Sequence, residues 1–169
     1  MPTRHLALIR HAVAEPEVEG QPDFDRQLVE RGRKASREMG AYLKEQEGFR
    51  PEVIISSPAP RALETAQLVG APLGFPPGSI HEDKRIFEAS SHDLAEVVRG
   101  LPAEWQFVAL AGHNPGFSDF AGWLLGQRNF DFPKTAVAWI DCGQQQWSEI
   151  EKGAGRLRHF WKPHQLGIG

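Results

Sequence analysis

Cysteine is almost absent from this chain: its 169 residues include only Cys142. One thiol cannot form an internal disulfide, and without a CxxC pair it does not predict a zinc site. We therefore expect a reduced, cytoplasmic setting. No apolar run approaches the roughly 20 residues that span a bilayer. The N-terminal segment Met1–His5 also lacks the apolar stretch of a secretory signal.

An excess of basic residues is also lacking. Lysine and arginine total 19 against 22 acidic residues, so the formal net charge is −3. Proteins that bind nucleic acids or membrane surfaces usually carry a basic excess, and we predict neither partner here. Apolar residues make up 40% of the sequence, which is ordinary for a globular protein. The length suits one domain over residues 1–169 with its own hydrophobic core.

Several catalytic motifs are missing as well. The sequence contains neither HExxH nor a Cys/His cluster for a metal, no GxxxxGK[ST] loop for a nucleotide and no GxSxG for a serine hydrolase. His81, Glu82 and Asp83 are consecutive, and consecutive side chains seldom converge on one ion. Cys142 lies away from every candidate strand end, which argues against a cysteine-based phosphatase.

The first informative stretch is a short apolar run near the N-terminus. Leu6–Ile9 is continuously apolar, and Arg10 and His11 follow it at once. Such a run is typical of a strand buried on both faces of a parallel sheet. Ligands of open α/β sheets bind beyond the C-terminal ends of the strands. Arginine is a forked phosphate donor and histidine a nucleophile or proton carrier; alternatively, His11 merely ends the strand.

The remaining pattern alternates strands and helices. An acidic, Pro/Gly-containing loop spans residues 13–24, and helices are predicted at about residues 30–46, 59–69, 90–99 and 117–125. Strands are predicted at 53–55, within 80–87, at 107–111 and at 135–140, followed by a hairpin of residues 147–151 with 156–161. This order predicts an α/β fold: a three-layer α/β/α arrangement with a mostly parallel central sheet, helices on both faces and a C-terminal β-hairpin. We expect Trp139, Trp147 and Trp161 to pack in the core or cover an edge.

Arg61 is predicted in the first turn of the second helix. The strand 53–55 is followed by Ser57 and Pro58, which is a helix-entry signal. A helix N-terminus favours anions, and an arginine there does little for the helix dipole. The position favours a phosphate-binding role, whereas Glu64, one turn further on, offers a purely structural partner.

His113 repeats the pattern of His11. The apolar run 107–111 is followed by Gly112, His113, the helix-capping candidate Asn114 and Pro115. We therefore expect His113 at the same sheet edge as His11. Glu88, just before the helix capped by Ser90 or Ser91, is either a proton donor or an ordinary loop carboxylate.

Together these strand ends bring Arg10, His11, Arg61 and His113 to one edge. Two guanidinium groups can hold the oxygens of a phosphoryl dianion. One imidazole can attack phosphorus, and the other, if protonated, can stabilise the charge of the transferring group. The residues thus predict phosphoryl transfer.

These motifs resemble the histidine phosphatase superfamily, also called phosphoglycerate-mutase-like. Residues 8–12 (LIRHA) are similar to its RHG signature, residues 56–62 (SSPAPRA) with Thr65 and Ala66 to its second motif, and residues 112–116 (GHNPG) to its third. Within the family the chain is most similar to the short SixA-type phosphohistidine phosphatases, and the likeness spans nearly the whole chain.

The resemblance implies a phosphoenzyme mechanism with His11 as the nucleophile and no metal or organic cofactor. Arg10, Arg61 and His113, with Ser57 from the second motif, would form the phosphate pocket, where phosphate or sulfate is expected to bind. Glu88 matches the family's acidic proton donor. Two departures are Ala12 in place of the glycine of RHG, and Glu17 at the position of an asparagine that larger relatives use.

The chain lacks room for the insertions that cover the site in true mutases. We therefore expect a shallow pocket and, as substrate, a phosphohistidine-bearing signalling protein. The alternatives are a phosphatase of small phosphomonoesters or polyphosphate-like compounds, and a non-catalytic phosphate-binding module.

Overall fold

Six β-strands form one central sheet in the computed structural model, which describes residues 2–169. The strands are β1 (His5–Arg10), β2 (Val53–Ser56), β3 (His81–Glu82), β4 (Phe107–Gly112), β5 (Val137–Asp141) and β6 (Arg156–Trp161). Their order across the sheet is β3-β2-β4-β1-β5-β6. Met1, which belongs to the predicted domain and N-terminal segment, lies outside the described residues.

The sheet is parallel on one side and antiparallel on the other. β3, β2, β4 and β1 pair in parallel, whereas β5 runs antiparallel to β1 and β6 antiparallel to β5. In the β1–β4 register Arg10 lies opposite Gly112. The residues that follow these two strands therefore emerge side by side at the same edge.

Four α-helices cover the two faces of the sheet: α1 (Glu30–Lys44), α2 (Pro60–Gly70), α3 (Ser91–Arg99) and α4 (Gly116–Leu125). Side chains of β1 alternate between two cores because successive residues of a strand point to opposite faces. Leu6 and Leu8 join the core under α3 and α4, whereas Ala7 and Ile9 join the core under α1 and α2. The predicted three-layer α/β/α fold is confirmed.

The predicted C-terminal hairpin has a different first strand. Residues 147–149 form a 3-10 helix, and the antiparallel partner of β6 is β5. Trp147 is buried, with its indole N–H donating to the Trp105 carbonyl oxygen at 2.7 Å. The bulky apolar residues of this segment therefore fill the core without pairing in the sheet. Trp139 and Trp161 are buried as well, as expected.

Other boundaries shift by smaller amounts. α1 ends at Lys44, the third predicted strand is limited to residues 81–82, and α2 begins at Pro60, so that Pro60 rather than Pro58 occupies its first turn. α3 begins with a capping box, in which the Ser90 hydroxyl accepts from the Asp93 N–H and the Asp93 carboxylate from the Ser90 N–H. Of the helices described over residues 2–169, none is long and apolar enough to cross a membrane.

Candidate active site

The ends of β1 and β4 bring two histidines together. The His11 backbone N–H donates to the Gly112 carbonyl oxygen at 3.0 Å, which continues the strand pairing by one step. The imidazole rings of His11 and His113 have centroids 5.3 Å apart. Only 6% of His11 and 7% of His113 is exposed, so this pair lies beneath the surface of the sheet edge.

The hydrogen bond of the His11 ring fixes its tautomer. Nδ1 lies 2.7 Å from the Ala12 carbonyl oxygen. A carbonyl oxygen can only accept, so Nδ1 carries the proton and the lone pair of a neutral ring resides on Nε2. Burial, the largest effect, together with the positive charges of Arg61 and Arg10, lowers the pKa of His11 to about 4, although the bond to Ala12 opposes the shift. At neutral pH the ring therefore presents an unprotonated Nε2.

Ala12 fits where the family signature has glycine because its backbone angle is ordinary. Among the non-glycine residues of the described chain, positive φ occurs at Glu88, Asn129 and Thr135, and not at Ala12. The Ala12 N–H donates to the Thr65 hydroxyl at 3.0 Å, and this hydroxyl donates to the Arg61 carbonyl oxygen at 2.7 Å. Thr65 thereby joins α2 to the segment that orients His11.

His113 is oriented by Ser57. The His113 Nε2 atom lies 2.8 Å from the Ser57 hydroxyl oxygen, which also accepts from the Ala59 N–H at 3.2 Å. Ser57 is fully buried, so the structure shows it supporting the second histidine rather than lining the cleft. Burial, the largest effect, together with His11 and Arg61 lowers the pKa of His113 to about 3. In this ligand-free arrangement the second imidazole is neutral, and Nδ1 is the ring nitrogen left for a ligand.

Arg61 is paired differently from the sequence expectation. Glu64, proposed there as its partner, binds Arg33 at 2.9 Å. The Arg61 guanidinium instead donates to the Asp23 backbone oxygen at 2.8 Å and to its carboxylate at 3.0 Å. Sequence reasoning missed Asp23 because it lies 38 positions away in the loop over the sheet edge. The acidic character of that loop is the only signal that points to it.

Three buried side-chain nitrogens of this site have no partner. Across residues 2–169, the buried side-chain N and O atoms without a hydrogen bond are Arg10 Nε, Arg61 Nε, His113 Nδ1 and, elsewhere, Arg4 Nε. Each unsatisfied buried polar group costs about 1–3 kcal/mol. A tetrahedral anion offers several acceptors to such groups at once, and forked guanidinium groups suit it. Arg10 is otherwise held through a bond from Nη1 to the Phe132 carbonyl oxygen at 2.9 Å.

A cleft of about 430 Å³ opens beside this pair of histidines. It is lined by Asp23, Arg61, Phe87, Glu88, Ala89, Ser90, His113, Asn114, Pro115, Gly116 and Asp119. The Phe87 ring packs edge-on against His113, with centroids 5.4 Å apart, and lies 5.9 Å from the Arg61 guanidinium carbon. His11 and Arg10 are not part of this lining. The cleft therefore directly adjoins His113 and Arg61.

Glu88 lines the cleft and has an unusual backbone conformation. Its φ is 56°, in the left-handed region that non-glycine residues seldom adopt. This turn follows Phe87 and leaves the carboxylate exposed at the cleft. Glu17 is exposed and lies 3.7 Å from Arg26 in an ion pair, away from the cleft lining.

The site shows no features of a metal centre or a reactive thiol. No group of three or more His, Cys, Asp or Glu side chains in the described part of the chain could hold an ion. His81 packs edge-on against Trp105, and Asp83 pairs with Arg85 at 2.7 Å. Burial raises the pKa of the Cys142 thiol to about 12, so it stays protonated and inert.

Comparison with known structures gives the same fold over nearly the full chain. A crystal structure from Agrobacterium tumefaciens, assigned as the phosphohistidine phosphatase SixA, superposes with a TM-score of 0.80 and 26% identity, covering 96% of this chain and 99% of that one. The protein histidine phosphatase SixA complexed with tungstate gives a TM-score of 0.80 at 24% identity over 96% and 99%. A mycobacterial glucosyl-3-phosphoglycerate phosphatase gives 0.68 at 19% identity over 92% and 97%.

A search of curated proteins finds no match. Residues 6–106, however, match the sequence profile of the histidine phosphatase superfamily, branch 1. This range includes the first two motifs of the site, with Arg10, His11 and Arg61. The chain therefore belongs to the histidine phosphatase superfamily.

Proposed function

We propose that this protein is a phosphatase that forms a covalent phosphohistidine on His11. The observation that carries the proposal is the state of the His11 ring: Nδ1–H is bound to the Ala12 oxygen, the pKa lies at about 4, and the Nε2 lone pair is available at neutral pH. A neutral, oriented imidazole next to unsatisfied cationic donors is suited to attack on phosphorus.

In the first step the dianion binds to Arg10, Arg61 and His113, whose buried Nε, Nε and Nδ1 atoms have no protein partner. His11 Nε2 attacks phosphorus while the bond to the leaving group breaks on the opposite side, and the leaving atom takes the electron pair. Water then attacks the phosphohistidine, which releases inorganic phosphate and restores the neutral ring. Fixed donors in a water-poor site stabilise the charge of both steps.

We propose phosphohistidine in a protein as the substrate. The cleft lies at the surface of the sheet edge, where a side chain on another protein can enter. The A. tumefaciens structure assigned as a phosphohistidine phosphatase matches this chain over 96% of its length. A nitrogen leaving group also relies less on a proton donor than an alkoxide does, which reduces the demand on Glu88.

A phosphatase of small phosphomonoesters is the second candidate, and the position of Glu88 favours it. Its exposed carboxylate lines the cleft beside His113, where it can supply a proton to an oxygen leaving group. The wild-type kcat/KM for a phosphohistidine-bearing protein relative to that for alkyl phosphates separates the candidates, and a large loss in Glu88→Gln with alkyl phosphates alone would identify Glu88 as the proton donor for oxygen leaving groups.

Trapping of the phosphoenzyme tests the mechanism. The protein is mixed with labelled phosphohistidine-bearing protein and denatured within milliseconds at alkaline pH, where phosphohistidine survives. We expect label on His11, none in His11→Ala, and full labelling in the matched control His92→Ala, which removes an exposed imidazole of α3. A non-catalytic binding module would retain phosphate reversibly and show no covalent label in any variant.

A further inference from the structure

The cleft beside the phosphate-binding residues is acidic. Three of its lining residues, Asp23, Glu88 and Asp119, carry carboxylates, and Arg61 is the single lysine or arginine among the described residues that line it. This charge is unexpected in a site for a phosphoryl dianion. It requires an explanation apart from phosphate binding itself.

Two of these carboxylates carry uncompensated charge. Asp23 is neutralised by Arg61 at 3.0 Å and by Arg26 at 2.9 Å. Glu88 and Asp119 take part in none of the ion pairs found within residues 2–169. Both are exposed at the cleft. The wall of the cleft, which we define as Glu88 and Asp119, therefore has a net negative field. The floor, which we define as Arg61 and His113, carries the positive charge of Arg61.

In the proposed mechanism the floor of the cleft contacts the phosphoryl group of the substrate and the wall contacts its leaving group. Arg61 and His113 line the cleft, both are more than nine-tenths buried, and each keeps a side-chain nitrogen without a hydrogen-bond partner. In the proposed mechanism these nitrogens bind the phosphoryl oxygens. His11 does not line the cleft, and the attacking and leaving atoms lie roughly in line across phosphorus. The leaving group must therefore occupy the open cleft between Glu88 and Asp119.

We infer that this cleft selects a cationic leaving group, namely an N-phosphorylated imidazole protonated on its second nitrogen, and that Asp119 is a specificity-determining residue for it. The inference rests on the proposed function and extends it. When the P–N bond of such a substrate breaks, its electron pair stays on the departing nitrogen and neutralises the ring. The product leaves as neutral imidazole with its proton on the other nitrogen, so no proton has to reach the departing atom.

The carboxylates act mainly through binding. The positive charge is present in the bound substrate and fades as the P–N bond breaks, so it is recognised more strongly before the transition state than in it. Loss of the carboxylate charge should therefore raise KM, lower kcat/KM only to the extent that positive charge remains in the transition state, and leave kcat constant or higher. Anionic metabolite phosphates are repelled by the same wall, which discriminates against them.

Asp119 allows a clean test because it lies in the first turn of α4 and has no role in phosphate binding. The experiment measures kcat and KM for phosphoimidazole and for para-nitrophenyl phosphate with the wild type, Asp119→Asn, Asp119→Lys and Asp119→Glu. Glu47→Gln, which removes an exposed charge elsewhere, is the matched control. Thermal unfolding verifies that each variant is folded.

We expect Asp119→Asn to raise KM for phosphoimidazole roughly two- to fivefold, the range of a partly exposed charge interaction. Asp119→Lys should raise KM for phosphoimidazole further, and Asp119→Glu, which keeps the carboxylate, should leave KM near the wild-type value. KM for para-nitrophenyl phosphate, whose leaving group is not cationic, should stay constant or fall, and added salt should reduce the difference between substrates.

Equal changes for both substrates would indicate a merely structural role and overturn the inference, as would an unchanged KM for phosphoimidazole in Asp119→Lys. The proposed substrate would be overturned as well if para-nitrophenyl phosphate labels His11 of the wild type but phosphoimidazole and phosphohistidine do not react. Loss of labelling on His11 with every substrate would instead refute the proposed mechanism.

Discussion

The Thr65 hydroxyl connects the phosphate-binding helix to the segment that orients His11. It accepts the Ala12 N–H at 3.0 Å and donates to the Arg61 carbonyl oxygen at 2.7 Å. The residue it holds, Ala12, is the one whose carbonyl oxygen accepts the hydrogen bond from His11 Nδ1–H. A single buried side chain thus couples the position of Arg61 to the direction of the attacking nitrogen.

Thr65→Val should therefore lower kcat by roughly 10- to 100-fold, since a misplacement of about 1 Å in a positioned group can cost ~100-fold. It should also destabilise the fold by about 1–3 kcal/mol, because the Ala12 N–H loses its acceptor. Steady-state kinetics and urea denaturation measure the two effects. Thr65→Ser keeps the hydroxyl and should retain most activity; equal activity in the valine and serine variants would contradict this coupling.

Arg61→Lys should reduce kcat/KM by roughly 10²–10³-fold, the usual cost of losing a fixed donor to a transition-state charge. An ammonium group cannot bridge the two Asp23 acceptors and still present a planar fork to a dianion. Arg33→Lys is the matched control because its guanidinium binds Glu64 at 2.9 Å and does not line the cleft. Similar losses in both variants would show that the effect is general to arginine removal.

Both active-site imidazoles should remain neutral down to about pH 4 when titrated by NMR, since their pKa values lie at about 4 for His11 and about 3 for His113. A folded-state pKa below the unfolded value means that the unfolded chain binds more protons. The contribution of the neutral rings to the free energy of unfolding should therefore be fully present above pH 6.5. It should be lost as the pH falls towards 4, which lowers the free energy of unfolding by roughly 3 kcal/mol for His11 alone.

His11→Asn should weaken this pH dependence, which chemical denaturation at pH 7 and pH 4.5 can measure. Saturating inorganic phosphate should raise the pKa of both rings, because a nearby dianion favours the protonated form. Titration of His11 near pH 6.5 in the ligand-free protein would show that its burial is not maintained in solution.

Gly116→Ala should impair the cleft. A Cβ at this position would collide with the Ala89 carbonyl oxygen, and Ala89 follows Glu88 in the cleft lining. We expect at least a tenfold lower kcat/KM and a lower melting temperature, since overpacking costs about 1–3 kcal/mol. Gly78→Ala has open space around the added methyl group and serves as the control. A fully active Gly116→Ala variant would mean that the loop carrying Glu88 moves without consequence.

Chelator treatment should leave activity unchanged. The proposed steps use imidazole and guanidinium groups, and no described cluster of side chains could hold an ion. Activity is measured after dialysis against EDTA and again after addition of Mg²⁺ or Zn²⁺. A loss with EDTA that metal restores would contradict the proposed mechanism.

Much of the fold was predictable because its signals are local. The apolar runs that precede His11 and His113 are strands buried on both faces, and their parallel pairing places the two rings 5.3 Å apart. The segment at residues 147–151 misled the prediction because tryptophan and isoleucine, here Trp147 and Ile150, favour strands and core positions alike. Its burial under the sheet depends on tertiary contacts such as the bond from Trp147 to Trp105.

The electrostatic partners could not be predicted in the same way. Glu64 lies one helical turn from Arg61 and is the natural local partner, yet α1 supplies Arg33 to it and the loop supplies Asp23 to Arg61. Both pairings join residues more than 30 positions apart, with 31 between Arg33 and Glu64 and 38 between Arg61 and Asp23. Sequence periodicity contains no information about such long-range choices.

The acceptor that orients the His11 ring is a peptide oxygen of Ala12 and not a carboxylate. A dipole of the main chain can hold the imidazole in one tautomer without adding a negative charge beside it. An incoming dianion thus meets no repulsion from the group that aligns its attacker, and no substitution of the residue 12 side chain removes the accepting oxygen. Sequence variation at residue 12 is accordingly limited by the space available rather than by the chemistry of the nucleophile.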